Sequence, residues 1–167
     1  IQSEKNPNFF FLNYSKEGKV EHFAVVPKYF FIPDLIIKRK PLAQTARRAG
    51  WVGCNIDIGK VSSSGKIFLV KDGSVVSPDE VLSNFQKTLF LRQQTISSRG
   101  WLLEILKCLD RIPSNEFTLQ DVYSFENDLQ QIYPSNHHIK DKIRQQLQVL
   151  RDQGMVEFLG RGRYKKI

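Results

Sequence analysis

The stretch that decides the fold is Leu150-Arg151-Asp152-Gln153-Gly154-Met155-Val156-Glu157-Phe158-Leu159-Gly160-Arg161-Gly162-Arg163. A helix that ends at Gly154 is followed at once by strand-forming residues, a Gly-x-Gly turn and a second strand that runs from Arg163 to Ile167. A helix followed directly by a basic hairpin is the order of the third helix and the wing in a winged helix-turn-helix domain.

Three helical patterns complete that domain. The first runs from Gly100 to Ile112, the second from its N-cap Thr118 to Ile132, and the third from about His137 to Asp152, each with apolar residues at helical spacing. The polar residues 93–98 form the best domain boundary in the chain. We therefore predict a first domain over residues 1–95 and a winged helix-turn-helix domain over residues 96–167.

The first domain has a mixed pattern, so the predicted fold class is α+β. Residues 9–14 and 20–26 predict a β-hairpin buried on both faces, and residues 66–70 predict a further strand. A short helix is expected from Asp34 to Lys40, and a longer one opens at Ser77-Pro78 and runs to about Leu91.

Composition favours a polyanionic partner. The 167-residue chain has a formal net charge of +8, and residues 1–98 contain 14 Lys and Arg against 8 Asp and Glu. Two distant cysteines, Cys54 and Cys108, make neither a disulfide framework nor a four-ligand zinc site. No apolar run is long enough to span a membrane, and no signal peptide is recognisable, so we expect a cytoplasmic protein.

The third helix supplies most of the candidate DNA contacts. In a winged helix-turn-helix domain this helix lies in the major groove, where Gln pairs with adenine and Arg with guanine. Asn136, predicted to cap the helix, can offer its amide to a phosphate, and the wing can contact the backbone through Arg161, Arg163, Lys165 and Lys166. A polar outward face is also what any surface helix shows. The outward candidates are His137, His138, Lys140, Asp141, Arg144, Gln145 and Gln148.

A second basic cluster lies between Lys38 and Trp51. It contains five cations, Arg47 and Arg48 among them, and no acid. Either this is a solvated loop beside a core tryptophan, or it binds phosphates and presents an aromatic ring to a base.

Catalytic residues are not recognisable by spacing. Glu17-Gly18-Lys19 has the acid-x-Lys order of metal-dependent nucleases, but it falls in a predicted turn, and neither Asp34 nor Asp57 completes the set. No Ser/His/Asp set, phosphate-binding Gly loop or metal-ligand cluster is present either, so the residues alone predict a binding protein without catalytic or metal residues.

Several longer strings carry a family resemblance. They are Asn6-Pro7-Asn8-Phe9-Phe10-Phe11-Leu12, Gln44-Thr45-Ala46-Arg47-Arg48-Ala49-Gly50-Trp51-Val52-Gly53-Cys54-Asn55-Ile56-Asp57, Ser98-Arg99-Gly100-Trp101, and the span 136–162. From about Glu4 to its C-terminus the chain resembles the Dpn-type methyl-directed restriction endonucleases. That resemblance implies a PD-(D/E)xK-type nuclease domain followed by a winged helix, and cleavage of GATC only when its adenine carries an N6-methyl group.

The resemblance also implies site residues, cofactors and partners. Trp51 matches the aromatic that touches the methylated base, Val26 falls at an apolar position beside that pocket, and the partner is methylated double-stranded DNA. Mg²⁺ and a structural Zn²⁺ belong to the complete family enzyme, but its metal-binding residues match no part of this chain. We therefore expect a protein that recognises DNA without cleaving it by itself. We also expect it to be a monomer. A winged-helix transcriptional regulator and a protein-interaction winged helix are the alternatives.

Overall fold

The computed structural model describes residues 7–167, so Glu4 and the other residues before position 7, where the family resemblance begins, lie outside the described residues. The chain is mixed α+β, as predicted. Its strands are β1 (Phe9–Tyr14), β2 (Val20–Val26), β3 (Ile36–Lys38), β4 (Cys54–Ile56), β5 (Ile67–Lys71), β6 (Ser74–Val75), β7 (Glu116–Thr118), β8 (Val156–Gly160) and β9 (Arg163–Lys166). Its α-helices are α1 (Pro78–Thr88), α2 (Ile96–Arg111), α3 (Leu119–Tyr123), α4 (Glu126–Ile132) and α5 (Ile139–Asp152).

The first half of the chain is built on an antiparallel sheet of order β1-β2-β5-β6. The predicted hairpin of β1 and β2 is present, with Leu12 opposite Phe23. The turn between β5 and β6 has Asp72 and Gly73 at φ of 50° and 74°, the left-handed conformation that tight hairpin turns need.

The expectation that this hairpin is buried on both faces is wrong. Phe10, Leu12 and Tyr14 are exposed, because β1 is the edge strand and alternate residues of a strand point to opposite faces. The other face of the sheet contributes Ala24 and Val26 to the core.

The predicted helix from Asp34 to Lys40 is also wrong. A short 3₁₀ turn, Pro33–Leu35, leads directly into β3, which pairs antiparallel with β4. Ile36 and Ile37 are β-branched and favour an extended backbone, and the partner strand satisfies their backbone hydrogen bonds. The partner lies 18 residues further along the chain, beyond the reach of a local helical pattern.

Helix α1 begins as predicted, with the Ser77 hydroxyl accepting a hydrogen bond from the Glu80 backbone and Pro78 in the first turn. A 3₁₀ segment, Leu89–Gln93, follows it. Helix α2 begins four residues before the predicted Gly100, because the Thr95 hydroxyl accepts a hydrogen bond from the Ser98 backbone.

Helix α2 is buried on most of its sides. The consecutive residues Trp101, Leu102 and Leu103 are all buried, so they cannot form a single apolar stripe. One continuous core runs from Val26 and Leu35, through α2, to Val156. Helix α2 therefore packs against the first half of the chain as well as against the other helices of the winged helix.

The remaining elements have the order of a winged helix-turn-helix domain. Thr118 is the N-cap residue, as predicted, and it forms a capping box with Asp121. The helix that they open is divided into α3 and α4 at Ser124 and Phe125. The sheet of this region has the order β7-β9-β8, and β7 was not predicted, because three residues carry too little pattern. On α5 the predicted apolar stripe is buried: Ile139, Ile143, Leu147 and Leu150.

Candidate nucleic-acid interface

Helix α5 presents a polar face to solvent, opposite its apolar stripe. The seven outward residues predicted for this helix, His137, His138, Lys140, Asp141, Arg144, Gln145 and Gln148, are all exposed. The structure therefore brings these candidates together on one surface, which a base edge or a phosphate can approach.

Asn136 does not cap α5. His138 is the N-cap residue, and its side chain makes no capping bond. The Asn136 carboxamide oxygen instead accepts a hydrogen bond from the His138 backbone at 2.8 Å, which shapes the loop before the helix. The predicted capping role is therefore wrong by two positions, because an Asx turn and an N-cap use the same residue types.

Side chains outside the predicted set hold the two cations of this face. Lys140 lies 3.2 Å from the Glu126 carboxylate of α4, and Arg144 donates to the Tyr123 hydroxyl of α3 at 3.0 Å. Sequence reasoning missed Tyr123 and Glu126 because they are more than ten residues from their partners, and no local spacing signals such a pair.

The wing is fixed at its turn. Gly160, Arg161 and Gly162 all have positive φ, and the Gly162 carbonyl accepts a hydrogen bond from the Leu119 backbone at 2.8 Å. Arg163 forms an ion pair of 2.8 Å with Glu116 of β7. Within residues 7–167, the side chain of Arg161 has no ion pair or hydrogen bond, and the residue is exposed, so its guanidinium is available to another partner.

A basic arm, residues 36–56, extends from the first half of the chain. Beyond the β3–β4 pairing, Arg39 N–H donates to Gly53 O and Leu42 N–H donates to Trp51 O, both at 2.9 Å. Nearly every residue of the arm is exposed. Of its five cations, Lys38 and Arg39 stand on the paired backbone, Lys40 follows them, and Arg47 and Arg48 lie in the turns at the tip.

Trp51 stands on this arm and is 54% exposed, so it is not a core residue. Its ring lies over Gly53, where a Cβ atom would come within 2.9 Å of the indole. A side chain at position 53 would displace the ring, so glycine fits here through close approach and not through its backbone angle. The interpretation of Trp51 as a core tryptophan is wrong, and an accessible indole among cations remains.

Val26 lies elsewhere. It is buried at the end of β2 and lines a largely apolar cavity of about 540 Å³ together with Phe11, Ala24, Ile58 and Phe68. Trp51 is not among the residues that line this cavity. The structure thus does not bring the two residues of the expected methylated-base pocket into one cavity, and their role stays a prediction.

With this geometry in place, the sequence matches decide the family. Residues 1–94 match the Dam-replacing family, and residues 97–166 match the Dam-replacing HTH domain. The chain belongs to the Dam-replacing, Dpn-type family. It is a restriction enzyme family with a helix-turn-helix domain at the C-terminal end, and such a domain implies DNA binding.

The Mg²⁺ and Zn²⁺ expected from the resemblance have no matching site in the described part of the chain. Residues 7–167 contain no group of three or more His, Cys, Asp or Glu side chains that could hold a metal ion. Cys54 is exposed on the basic arm and Cys108 is buried in α2, so the two thiols do not combine. The described residues therefore fit neither Mg²⁺ nor a structural Zn²⁺, and the two ions stay predictions from the resemblance.

Glu17-Gly18-Lys19, which has the acid-x-Lys order, lies in the turn between β1 and β2, as predicted. A hydrogen bond from the Ser15 side chain lowers the pKa of the Glu17 carboxyl.

Among residues 7–167, no helix is long and apolar enough to cross a membrane.

Proposed function

We propose that this protein recognises double-stranded DNA with N6-methyladenine in GATC, as part of a type II restriction endonuclease. In this proposal residues 1–95 are the latter part of a PD-(D/E)xK-type nuclease domain and residues 96–167 are the winged helix-turn-helix domain. The observation that carries it is the match of both segments to the Dam-replacing family, joined with an exposed polar face on α5.

Helix α5 is the element proposed to enter the major groove. Gln145 is exposed and can pair bidentately with adenine, while Arg144 can do so with guanine, and a GATC site offers both bases. The N-terminal end of α5 would come nearest the bases, and the candidates at or just before this end are Asn136, His137, His138, Lys140 and Asp141. Arg161 and Arg163 of the wing are proposed phosphate contacts.

The basic arm is the second proposed contact. Arg47 and Arg48 lie near its tip, where they can bind phosphates, and Trp51 exposes about half of its surface beside them. Burying one methyl group contributes about 0.8 kcal/mol, so an indole that covers the N6-methyl group can favour methylated DNA. The family resemblance is the reason for including Val26 in the proposed pocket. Val26 lines a cavity that does not include Trp51.

Other parts of the proposal rest on the family alone. Mg²⁺ and a structural Zn²⁺ are expected in the complete enzyme, the protein is expected to work in the cytoplasm, and it is expected to be a monomer. The family match favours the restriction enzyme over a winged-helix transcriptional regulator. A protein-interaction winged helix is disfavoured by the exposed cations of the arm and the wing.

A binding experiment at fixed salt tests the proposal. Fluorescence anisotropy would compare this chain on three duplexes of equal length: methylated GATC, unmethylated GATC and a scrambled site. Salt must be matched because phosphate contacts make affinity strongly dependent on ionic strength. We expect the tightest binding to the methylated duplex. Equal affinity for the methylated and unmethylated duplexes would contradict the methyl specificity, and equal affinity for all three would contradict sequence recognition altogether.

A further inference from the structure

The guanidinium of Arg144 lies between two side chains from two different helices. Its Nη2 bonds to the carboxylate of Asp141, which lies one turn earlier on α5, and its Nη1 donates to the Tyr123 hydroxyl of α3 at 3.0 Å. Helices α3 and α5 therefore hold this one cation together. Three of the five N–H bonds of an arginine side chain remain for another partner.

This arrangement lies on the surface proposed to face DNA. The Asp141 and Arg144 side chains are 61% and 53% exposed, so neither is held by burial. The second carboxylate oxygen of Asp141 lies 3.8 Å from Nδ1 of His138, at the start of the same helix. Lys140 lies over the Tyr123 ring, 5.6 Å from its centre, and next to Glu126. Arg144 and Lys140 thus each have an acidic partner, whereas Lys142 of the same helix donates to the uncharged Gln145 side chain.

An acid on a DNA-binding face has opposite effects on two modes of binding. A phosphate and the Asp141 carboxylate compete for the same guanidinium, since both are anions and both accept two parallel hydrogen bonds. The acceptors on a guanine edge are uncharged, and an arginine can contact them while it keeps a carboxylate on its other side. A guanidinium held at two points also loses less rotational freedom when it contacts a base than a free one does.

We propose that Asp141 and Tyr123 are positioning residues that hold Arg144 for a base edge and keep it from serving as a free cation for phosphates. Asp141 then sets sequence specificity and lowers binding to DNA without the site. This inference rests on the proposed function of α5. Arg161 of the wing, which has no side-chain partner among residues 7–167, is the contrasting case of a cation open to any phosphate.

The test compares affinities for the methylated GATC duplex and a scrambled duplex at matched salt. Asp141→Asn is expected to tighten binding to the scrambled duplex and to reduce the ratio of the two affinities about fivefold or more. Asp141→Glu keeps the carboxylate and is expected to retain the ratio. Tyr123→Phe removes one hydrogen bond and is expected to weaken binding to the methylated duplex about three- to tenfold, without tightening binding to the scrambled one.

Asp152→Asn is the matched control. Asp152 pairs with Arg151 at the far end of the same helix, 2.7 Å apart and exposed, so the variant makes the same change in net charge away from the proposed contact. If Asp141→Asn and Asp152→Asn change the ratio equally, net charge explains the effect and the inference is overturned. A wild-type chain without preference for the methylated duplex would overturn the proposed function itself, and with it this inference.

A second experiment shows whether Asp141 acts through Arg144. In an Arg144→Ala background the Asp141→Asn change is expected to tighten binding to scrambled DNA no more than Asp152→Asn does, because its partner is gone. Unchanged melting temperatures would show that all variants are folded, as expected for exposed side chains. An Asp141→Asn effect that persists in full without Arg144 would show that the carboxylate repels phosphates directly and positions nothing.

Discussion

The carboxylate of Asp110 accepts two hydrogen bonds from Ser63, at 2.7 Å from the backbone nitrogen and 2.5 Å from the hydroxyl oxygen. Ser63 begins a 3₁₀ turn in the segment that matches the Dam-replacing family, and Asp110 lies in the last turn of α2, in the segment that matches the HTH domain. This contact connects the two segments at a surface position. Close to it, α2 packs in a core formed by residues of both segments.

Removing this link should destabilise the fold. Asp110→Ala loses two hydrogen bonds to a charged group, and because both residues are exposed we expect a loss of about 1 kcal/mol in the free energy of unfolding. Ser63→Ala keeps the backbone hydrogen bond and should cost less. Urea unfolding of the two variants provides the measurement, and an equal or larger loss for Ser63→Ala would contradict the assignment of two separate bonds.

Trp51→Ala should narrow the affinity gap between methylated and unmethylated GATC. Because the ring is exposed and carries no charge, we expect little loss of stability and an unchanged salt dependence. Anisotropy titrations at several salt concentrations measure both quantities. Tyr14→Ala, which removes an exposed aromatic from β1, is the control and should leave the gap unchanged. A folded Trp51→Ala chain with the wild-type gap would leave the winged helix as the remaining candidate for methyl recognition.

The two wing arginines should differ. Arg161→Ala is expected to weaken binding to all duplexes and to reduce the slope of log affinity against log salt by about one, because one phosphate contact is lost. Arg163 already pairs with Glu116, so its removal should change the slope less. The measurement is a salt titration on a scrambled duplex. A larger effect at position 163 than at position 161 would show that the ion pair opens on binding.

The two thiols should react very differently. Burial raises the pKa of the Cys108 thiol to about 12, so almost no thiolate is present at neutral pH, whereas Cys54 is exposed on the basic arm. A thiol-reactive dye should therefore label one cysteine rapidly in the native chain, and Cys54→Ser should abolish that phase. Methylated duplex should slow the labelling of Cys54. Labelling at the same rate with and without bound DNA would place the arm away from the interface.

Low pH should reduce the stability that the capping box of α3 contributes to the fold. Hydrogen bonds from the Thr118 backbone and hydroxyl lower the pKa of the Asp121 carboxyl. A carboxyl whose pKa is lower in the folded state stabilises the fold above its unfolded pKa, and this contribution is lost as pH falls through the folded value, below about pH 4. Asp121→Asn should therefore lower the melting temperature at pH 7 and much less at pH 3.

Thermal melts of wild type and variant at the two pH values measure this difference. Glu157→Gln, an exposed acid without a side-chain partner among residues 7–167, is the control and should show no such pH dependence. A difference for Asp121→Asn that is equally large at both pH values would mean that the carboxylate charge contributes nothing to the cap.

Much of the interface could be predicted because it depends on local periodicity. A helix repeats every 3.6 residues, so the apolar stripe that contains Ile143 and Leu147 fixes which residues of α5 face outward. The partners on that face could not be predicted. Tyr123 contacts Arg144, and Glu126 contacts Lys140, only after α3, α4 and α5 have packed. The angles at which these helices pack cannot be derived from local sequence spacing.

By itself, the sequence determined the mixed fold class, the hairpin of β1 and β2, the helix and wing at the C-terminal end, and the family. Each of these follows from residues that are neighbours in the chain or that match a known pattern along it. Only the tertiary structure decided that Ile36–Lys38 is a strand and that Trp51 is exposed and apart from the cavity of Val26. It also decided that α2 packs in one core with residues of both segments. These features depend on which distant residues come into contact, and that choice is made by packing of the whole chain.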